Sequence, residues 1–240
     1  MIGVVVPAHD EQACIGACLA SILRAARCPA LAGERVEVIV ALDRCSDRTG
    51  EISAAAGAQL VSLHAGNVGM ARAAGAAHAI AGGARWIACT DADTTVPADW
   101  LSGQLAHGGD AFCGLVDVDD WRDYVPGVRE RFGQAHPRRW EHPHVHGANL
   151  GFTTALYRAC GGFAPLPAHE DVALVAAMAR CGARIVRAPT PVVTTSARRT
   201  ARARGGFADY LVALEGVVRD AVQGLGPAMP EGGQAVSRAA

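Results

Sequence analysis

The sequence predicts an α/β fold, a single three-layer α/β/α domain around a mostly parallel mixed sheet. Three observations predict it. Short apolar runs alternate with segments of helical spacing through the first half of the chain, the pattern of βαβ crossovers. Half of the 240 residues are hydrophobic and 19% are charged, enough for a sizeable core of one large domain. The apolar residues are mainly Ala, Val and Leu, which suits buried parallel strands flanked by helices.

Residues 2–7 read as a buried strand. Asp10 is the expected N-cap of a helix over about 11–26, where Ile15, Cys18, Leu19 and Ile22 recur at helical spacing. A second strand is expected at 36–42, then a helix capped by Ser46 or Asp47 and running to about 56. A third strand at 59–63, a helix at 69–81 and a fourth strand at 85–90 complete the alternation. The second half is less regular. Residues 110–119 read as a strand, 121–140 as helix or loop, and 141–146 as a loop rich in His and Pro. Residues 147–153 read as extended, 155–160 as a short helix stopped by Gly161-Gly162. A helix is expected at 170–181 with Val172, Val175, Ala176 and Ala179 on one face, then strands at 184–188 and 192–194. An amphipathic helix at 207–222 precedes a frayed tail over 226–240. The domain accordingly spans 1–225, in two halves, a regular one at 1–95 and a less regular one at 96–225.

Bulk properties exclude several classes. Net charge is −1 with nine His counted neutral, so no global field recommends nucleic acid or an anionic membrane. One local exception is the arginine-rich run over 198–204. No segment approaches the roughly 20 apolar residues of a membrane span, and residues 2–6 lack the features of a signal peptide. The expectation is a soluble, cytoplasmic chain without integral membrane association; nothing in the sequence sets its oligomeric state. The eight Cys are scattered without a CxxC pair, so a zinc ribbon is not expected. Cys14 and Cys18 fit a helix face, and reduced thiols suit a cytoplasmic compartment.

In an open parallel sheet, ligands bind beyond the carboxyl ends of the strands. Three polar clusters fall there: 7–11, 43–47 and 91–93. The sharpest is Thr90-Asp91-Ala92-Asp93 after Trp86-Ile87-Ala88-Cys89. Two carboxylates flanking one small residue at a strand end can share a hard divalent cation and leave positions open for phosphate oxygens.

Taken in order, the motifs resemble those of family 2 glycosyltransferases of the GT-A fold. They are Val4-Val5-Val6-Pro7-Ala8-His9-Asp10-Glu11, Asp43-Arg44-Cys45-Ser46-Asp47-Arg48-Thr49, Gly66-Asn67-Val68-Gly69 with Ala71-Arg72, Asp91-Ala92-Asp93, Gly147-Ala148-Asn149 with Gly161-Gly162-Phe163, and Glu170-Asp171. The chain departs from the family pattern at His9, at Asp10 and at Leu42, where a second acidic residue is usual.

The resemblance implies a transfer from a nucleotide-diphosphate sugar, UDP-sugar foremost, to an unidentified acceptor hydroxyl, with residues 1–95 as the nucleotide-sugar-binding half and 96–225 as the acceptor half. Pro7, Ala8, Glu11 and Asp47 would serve the nucleotide-sugar pocket, and Asp43 would bond the base. Arg72 would lie near donor phosphate or sugar. Asp91 would touch donor, and Asp93 with Asp91 would hold Mn²⁺ or Mg²⁺. Asp171, beside Glu170, is the candidate base of an inverting reaction. Gly147 and Asn149 would border the acceptor. Arg198 and Arg199 could close on phosphate, since guanidinium binds it bidentately.

Alternatives remain open at this stage: a retaining outcome, or a degenerate protein that binds nucleotide-sugar without turnover. For Glu11 and Asp47 helix capping competes, for Arg72 and the arginine run a solvated surface, and for Glu170 and Asp171 a helix-terminus role. His142, His144 and His146 alternate like metal ligands, but no Cys or second His pair completes a zinc site, so an acceptor-facing or exposed loop is expected. Gln134 with Arg139-Trp140 resembles a processive-synthase signature, yet its spacing and its position before Glu170-Asp171 are wrong. No Gly-rich turn follows the first strand, which argues against a Rossmann oxidoreductase or methyltransferase and a sugar nucleotidyltransferase, and no GxSxG elbow occurs.

Overall fold

The computed structural model describes residues 1–200, 205–222 and 224. The Arg202 and Arg204 end of the basic run and the expected tail over 226–240 lie outside the described residues.

The elements follow in chain order as β1 (Ile2–Ala8), α1 (Ile15–Ala25), β2 (Val36–Asp43), α2 (Thr49–Ala55), β3 (Gln59–Leu63), α3 (Val68–Ala81), β4 (Trp86–Cys89), β5 (Thr94–Thr95), α4 (Trp100–Ala106), β6 (Ala111–Cys113), β7 (Val116–Val118), α5 (Val128–Ala135), β8 (Leu150–Thr153), α6 (Thr154–Ala159), α7 (Glu170–Arg180), β9 (Ile185–Arg187), β10 (Val193–Thr195) and α8 (Phe207–Val222). A seven-stranded sheet runs β3-β2-β1-β4-β8-β6-β9. Only β8 runs against its neighbours β4 and β6; the remaining pairs are parallel. This is the expected mostly parallel mixed sheet.

Strand alternation makes the three layers. Ile2, Val4, Val6, Val38, Val40, Trp86 and Ala88 point to one face, in one cluster with Ile15, Leu19 and Ile22 of α1 and Trp100 and Leu101 of α4; Val128 of α5 and Leu211 of α8, helices that pack on each other, extend that cluster. Val5, Ile39, Ile87 and Cys89 point to the other face, under Ala76 and Ala79 of α3, Leu156 and Tyr157, and Leu174, Val175 and Met178 of α7. Helix α3 lies very close to the sheet. A Cβ on Gly75 would sit 2.6 Å from a methyl of Val5, so the small residues of α3 are a packing requirement.

Several local expectations are corrected. Helix α1 starts at Ile15, not at residue 11, because Asp10 has a positive φ of 51° and turns the chain away. Its carboxylate accepts from the Ser46 and Asp47 amides instead, at 2.7 and 3.2 Å. On α7 the buried face is Leu174, Val175 and Met178, while Val172 is exposed. The strand expected over 110–119 is two strands, β6 and β7. A second sheet, β5-β10-β7, was not anticipated.

The chain passes from β1 outward to β2 and β3, then returns to the far side of β1 as β4. That reversal opens a crevice between the carboxyl ends of β1 and β4, where such sheets place their ligands.

Candidate active site

A cleft of about 850 Å³ occupies this crevice, and it is lined by Pro7, Ala8, Glu11, Asp43, Arg72, Asp91, Asp93, Gly147, Glu170, Asp171 and Arg198 among others. Each strand end supplies one part. The register brings Val5 beside Cys89, so the turn after β4 projects Asp91 and Asp93 next to the loop after β1.

Asp93 has a side chain only 8% exposed. Burial pushes its carboxyl up to about 6, against the pull of the Arg198 guanidinium. Arg198 spans two acids, with Nη1 2.6 Å from Glu11 Oε1 and Nη2 3.0 Å from Asp93 Oδ2. Burial of that guanidinium would lower its pKa, but Asp93 and Glu11 outweigh it and raise the pKa. The Asp91 side chain is 38% exposed and faces Arg72.

Arg72 is the buried hub of the site. It is 2% exposed. Its guanidinium donates to Asp91 Oδ1 at 2.5 Å, Glu170 Oε1 at 2.9 Å and the Gly147 carbonyl at 3.1 Å. Burial alone would lower its pKa, but Asp91 and Glu170 prevail and hold it charged. Gly147 must be glycine here, because a Cβ would stand 2.4 Å from Arg72 Nη2. Burial raises the Glu170 pKa, partly countered by Arg72. Glu170 is thus held by Arg72, while its neighbour Asp171 turns into the cleft. Asp171 Oδ2 accepts from the Gly147 amide at 2.6 Å, and Oδ1 from the Val172 amide at 2.7 Å.

At the other end of the cleft, both oxygens of Asp43 accept backbone amides: Ala65 at 2.7 Å, Gly66 at 2.9 Å and Asn67 at 2.7 Å. Burial works against ionisation, yet these three amides outweigh it and lower the pKa. Asp43 therefore shapes the pocket floor by fixing the loop over 65–67.

Three expected site residues lie outside the cleft lining. Asp47 Oδ1 accepts from Thr49 and Oδ2 from the Gln12 amide, joining the loops that follow β1 and β2. Asn149 is fully buried, accepting from Trp100 Nε1 at 2.9 Å and donating to the Leu115 and Pro191 carbonyls. Arg199 points away to Glu215 of α8 at 2.5 Å and lies over the Tyr124 ring. Arg72 is likewise no solvated surface charge. Sequence reasoning missed His136 and Tyr210, which line the same cleft from just beyond α5 and from α8. His136 follows a helix of mixed charge, and only the tertiary contact with the loop at 141–146 reveals it.

The glycosyl transferase family 2 model matches residues 3–164. A search of curated proteins gives no sequence match. Solved structures resemble the chain strongly in fold. The TarS fragment 1–349 of S. aureus, in complex with UDP-GlcNAc, superposes with a TM-score of 0.66 at 18% identity, over 90% of this chain and 65% of that one. The mannosyltransferase PcManGT of Pyrobaculum calidifontis, with GDP-Man and Mn²⁺, gives 0.60 at 19%, over 95% of this chain and 65% of that one. Glucosyl-3-phosphoglycerate synthase of Mycobacterium tuberculosis, with Mn²⁺, UDP and glucosyl-3-phosphoglycerate, gives 0.56 at 20%, over 94% and 79%. The chain spans just under two thirds of the TarS fragment and of PcManGT. It belongs to glycosyl transferase family 2 and has the GT-A fold.

Proposed function

We propose that this member of glycosyl transferase family 2 moves a sugar from a nucleoside-diphosphate sugar, UDP-sugar foremost, to an acceptor hydroxyl with inversion at the anomeric carbon. The observation that carries the proposal is the meeting of Glu11, Arg72, Asp91, Asp93, Asp171 and Arg198 in one cleft at the β1/β4 switch point. The solved relatives PcManGT and glucosyl-3-phosphoglycerate synthase hold Mn²⁺, which supports a divalent ion here. Asp91 and Asp93 fit one: both offer hard carboxylate oxygens, and the buried Asp93 carboxylate has a cation, Arg198, already drawn to it. Bound there, Mn²⁺ or Mg²⁺ would offset the negative charge of a departing nucleoside diphosphate.

The chain's own residues do the rest. Arg198, paired with Glu11 and Asp93 in this structure, turns to donor phosphate when the donor binds, with Glu11 steering it. Arg72 holds Asp91 at the donor end and Glu170 at the start of α7, so both ends of the cleft share one rigid link. Asp171 is the base. Its carboxylate takes the acceptor hydroxyl proton as the new C–O bond forms and the bond from anomeric carbon to phosphate oxygen breaks. The nucleoside diphosphate leaves with the bonding electrons.

General-base help is worth about 10²–10⁴-fold. Asp171→Asn keeps an acceptor for the Gly147 amide, so the fold should survive while kcat falls by that factor. A folded Asp171→Asn protein with near-normal kcat would remove Asp171 from this role.

A further inference from the structure

The cleft wall near Asp171 carries histidines that sugar transfer does not use. His142 stands apart: it is fully buried, with Nε2 3.2 Å from the Ala188 carbonyl, and its ring nitrogens do not converge with those of the other three. His136, at the end of α5, and His144 and His146, in the loop before Gly147, are different. One ring nitrogen from each lies within 4.8 Å of the others. The His136 and His144 rings are 4.2 Å apart and those of His144 and His146 5.9 Å. Among the described residues, Nε2 of His146 is buried without a hydrogen-bond partner. Leaving a buried polar atom unpaired costs free energy in water-free surroundings, and a bound ligand would remove that cost.

The surroundings select the ligand. Nδ1 of His136 is 3.2 Å from the Phe132 carbonyl, which fixes Nδ1–H as donor and leaves Nε2 as the lone-pair atom. A ring nitrogen tied to a backbone carbonyl is the usual second contact of a metal-binding histidine. Burial lowers the pKa of all three, His136 to about 4 and His146 to about 3. They are neutral imidazoles at physiological pH, the form that binds metal. Among the described residues, no carboxylate belongs to the cluster. Three nitrogens without oxygen suit a borderline ion such as Zn²⁺, unlike the oxygen-only pair Asp91 and Asp93, which suits Mn²⁺ or Mg²⁺.

We infer that His136, His144 and His146 bind one late first-row divalent cation, Zn²⁺ foremost, with its remaining coordination position open to the cleft. Tetrahedral Zn–N bonds of about 2.0–2.1 Å need ligand nitrogens about 3.3 Å apart. The three rings, stacked on one another in this structure, must therefore turn and draw together on binding. The ion would clamp the end of α5 to the loop that leads into Gly147. The site rests on these residues alone and stands whether or not the chain transfers a sugar.

Cobalt titration of the metal-stripped full chain tests it, because Co²⁺ at a tetrahedral nitrogen site absorbs visible light intensely and at an octahedral oxygen site only weakly. One equivalent should produce the intense band, Zn²⁺ should abolish it, and Asp93→Ala should keep it. His136→Ala and His144→Ala should each weaken binding at least about tenfold while retaining the far-ultraviolet dichroism of the parent. The histidine ring-proton NMR spectrum of the unsubstituted chain is the second measurement, with the His136, His144 and His146 signals expected to shift on adding Zn²⁺. An absent band, a band lost in Asp93→Ala, a band surviving in both histidine variants, or unmoved ring signals would each overturn the site.

Discussion

Replacing Arg72 by methionine should unfold the site before it alters any chemistry. Methionine keeps much of the side-chain length and loses the charge. The Arg72 and Glu170 side chains are 3% and 6% exposed, so the substitution strands a buried carboxylate. Removing one member of a buried pair costs about 3–5 kcal/mol. The Asp91 contact adds little, because that side chain is 38% exposed and water screens it. In a chain of this size each kcal/mol lowers Tm by about 2–4 °C, so a drop of about 6–20 °C is expected. The assay is urea unfolding at pH 7, followed by circular dichroism, for Arg72→Met, Glu170→Gln and the double variant. Glutamine at position 170 removes the stranded charge, so the double variant should recover at least about 1 kcal/mol relative to additivity. A loss below about 1 kcal/mol for Arg72→Met, or strict additivity, would refute the claim that this pair ties α3 to α7.

Two further outcomes follow from the same contacts. Arg198 lines the cleft and Arg199 does not, so Arg198→Ala should raise the donor KM about tenfold or more, while Arg199→Ala should leave KM unchanged and lower Tm; equal kinetic effects would contradict that division. Glu215 has its pKa lowered from 4.5 to about 2, chiefly by Arg199. Folding therefore favours its ionised form, and the stability it contributes is complete above about pH 4.5 and fades as pH falls toward 2. Thermal unfolding between pH 6 and pH 3 should fall less steeply for Glu215→Gln than for the parent, and parallel curves would count against the assignment.

The first half of the chain was legible because each signal there is local. The apolar run before Asp91 is a buried strand with a polar end, and α3 sits where its spacing places it; in the second half α8, a long amphipathic helix, is equally legible. Asp10 misled because its carboxylate crosses to the loop at Ser46 and Asp47 instead of capping its own helix. The second sheet is not legible because β5 has only two residues, and the pairing of β10 with β5 and β7 joins segments far apart in sequence. Arg72 was ambiguous in sequence for a related reason. Its partners Asp91 and Glu170 are 19 and 98 residues away, and only the packing of α3 against α7 makes it a hub. Val172 was put on the buried face of α7 by spacing, but α7 turns Leu174 and Met178 inward to meet the β-sheet side chains.

We propose that the β1/β4 crevice binds a nucleotide-sugar with a divalent ion on Asp91 and Asp93. Thermal unfolding with UDP-, GDP- and dTDP-sugars, each with and without Mn²⁺, tests it most directly. A donor at 100 times its Kd stabilises the native state by about 2.7 kcal/mol. One nucleotide class, UDP foremost, should raise Tm by several degrees with Mn²⁺ and far less without it, and Asp93→Ala should abolish the difference. No rise with any donor, or a rise of equal size in Asp93→Ala, would contradict the account.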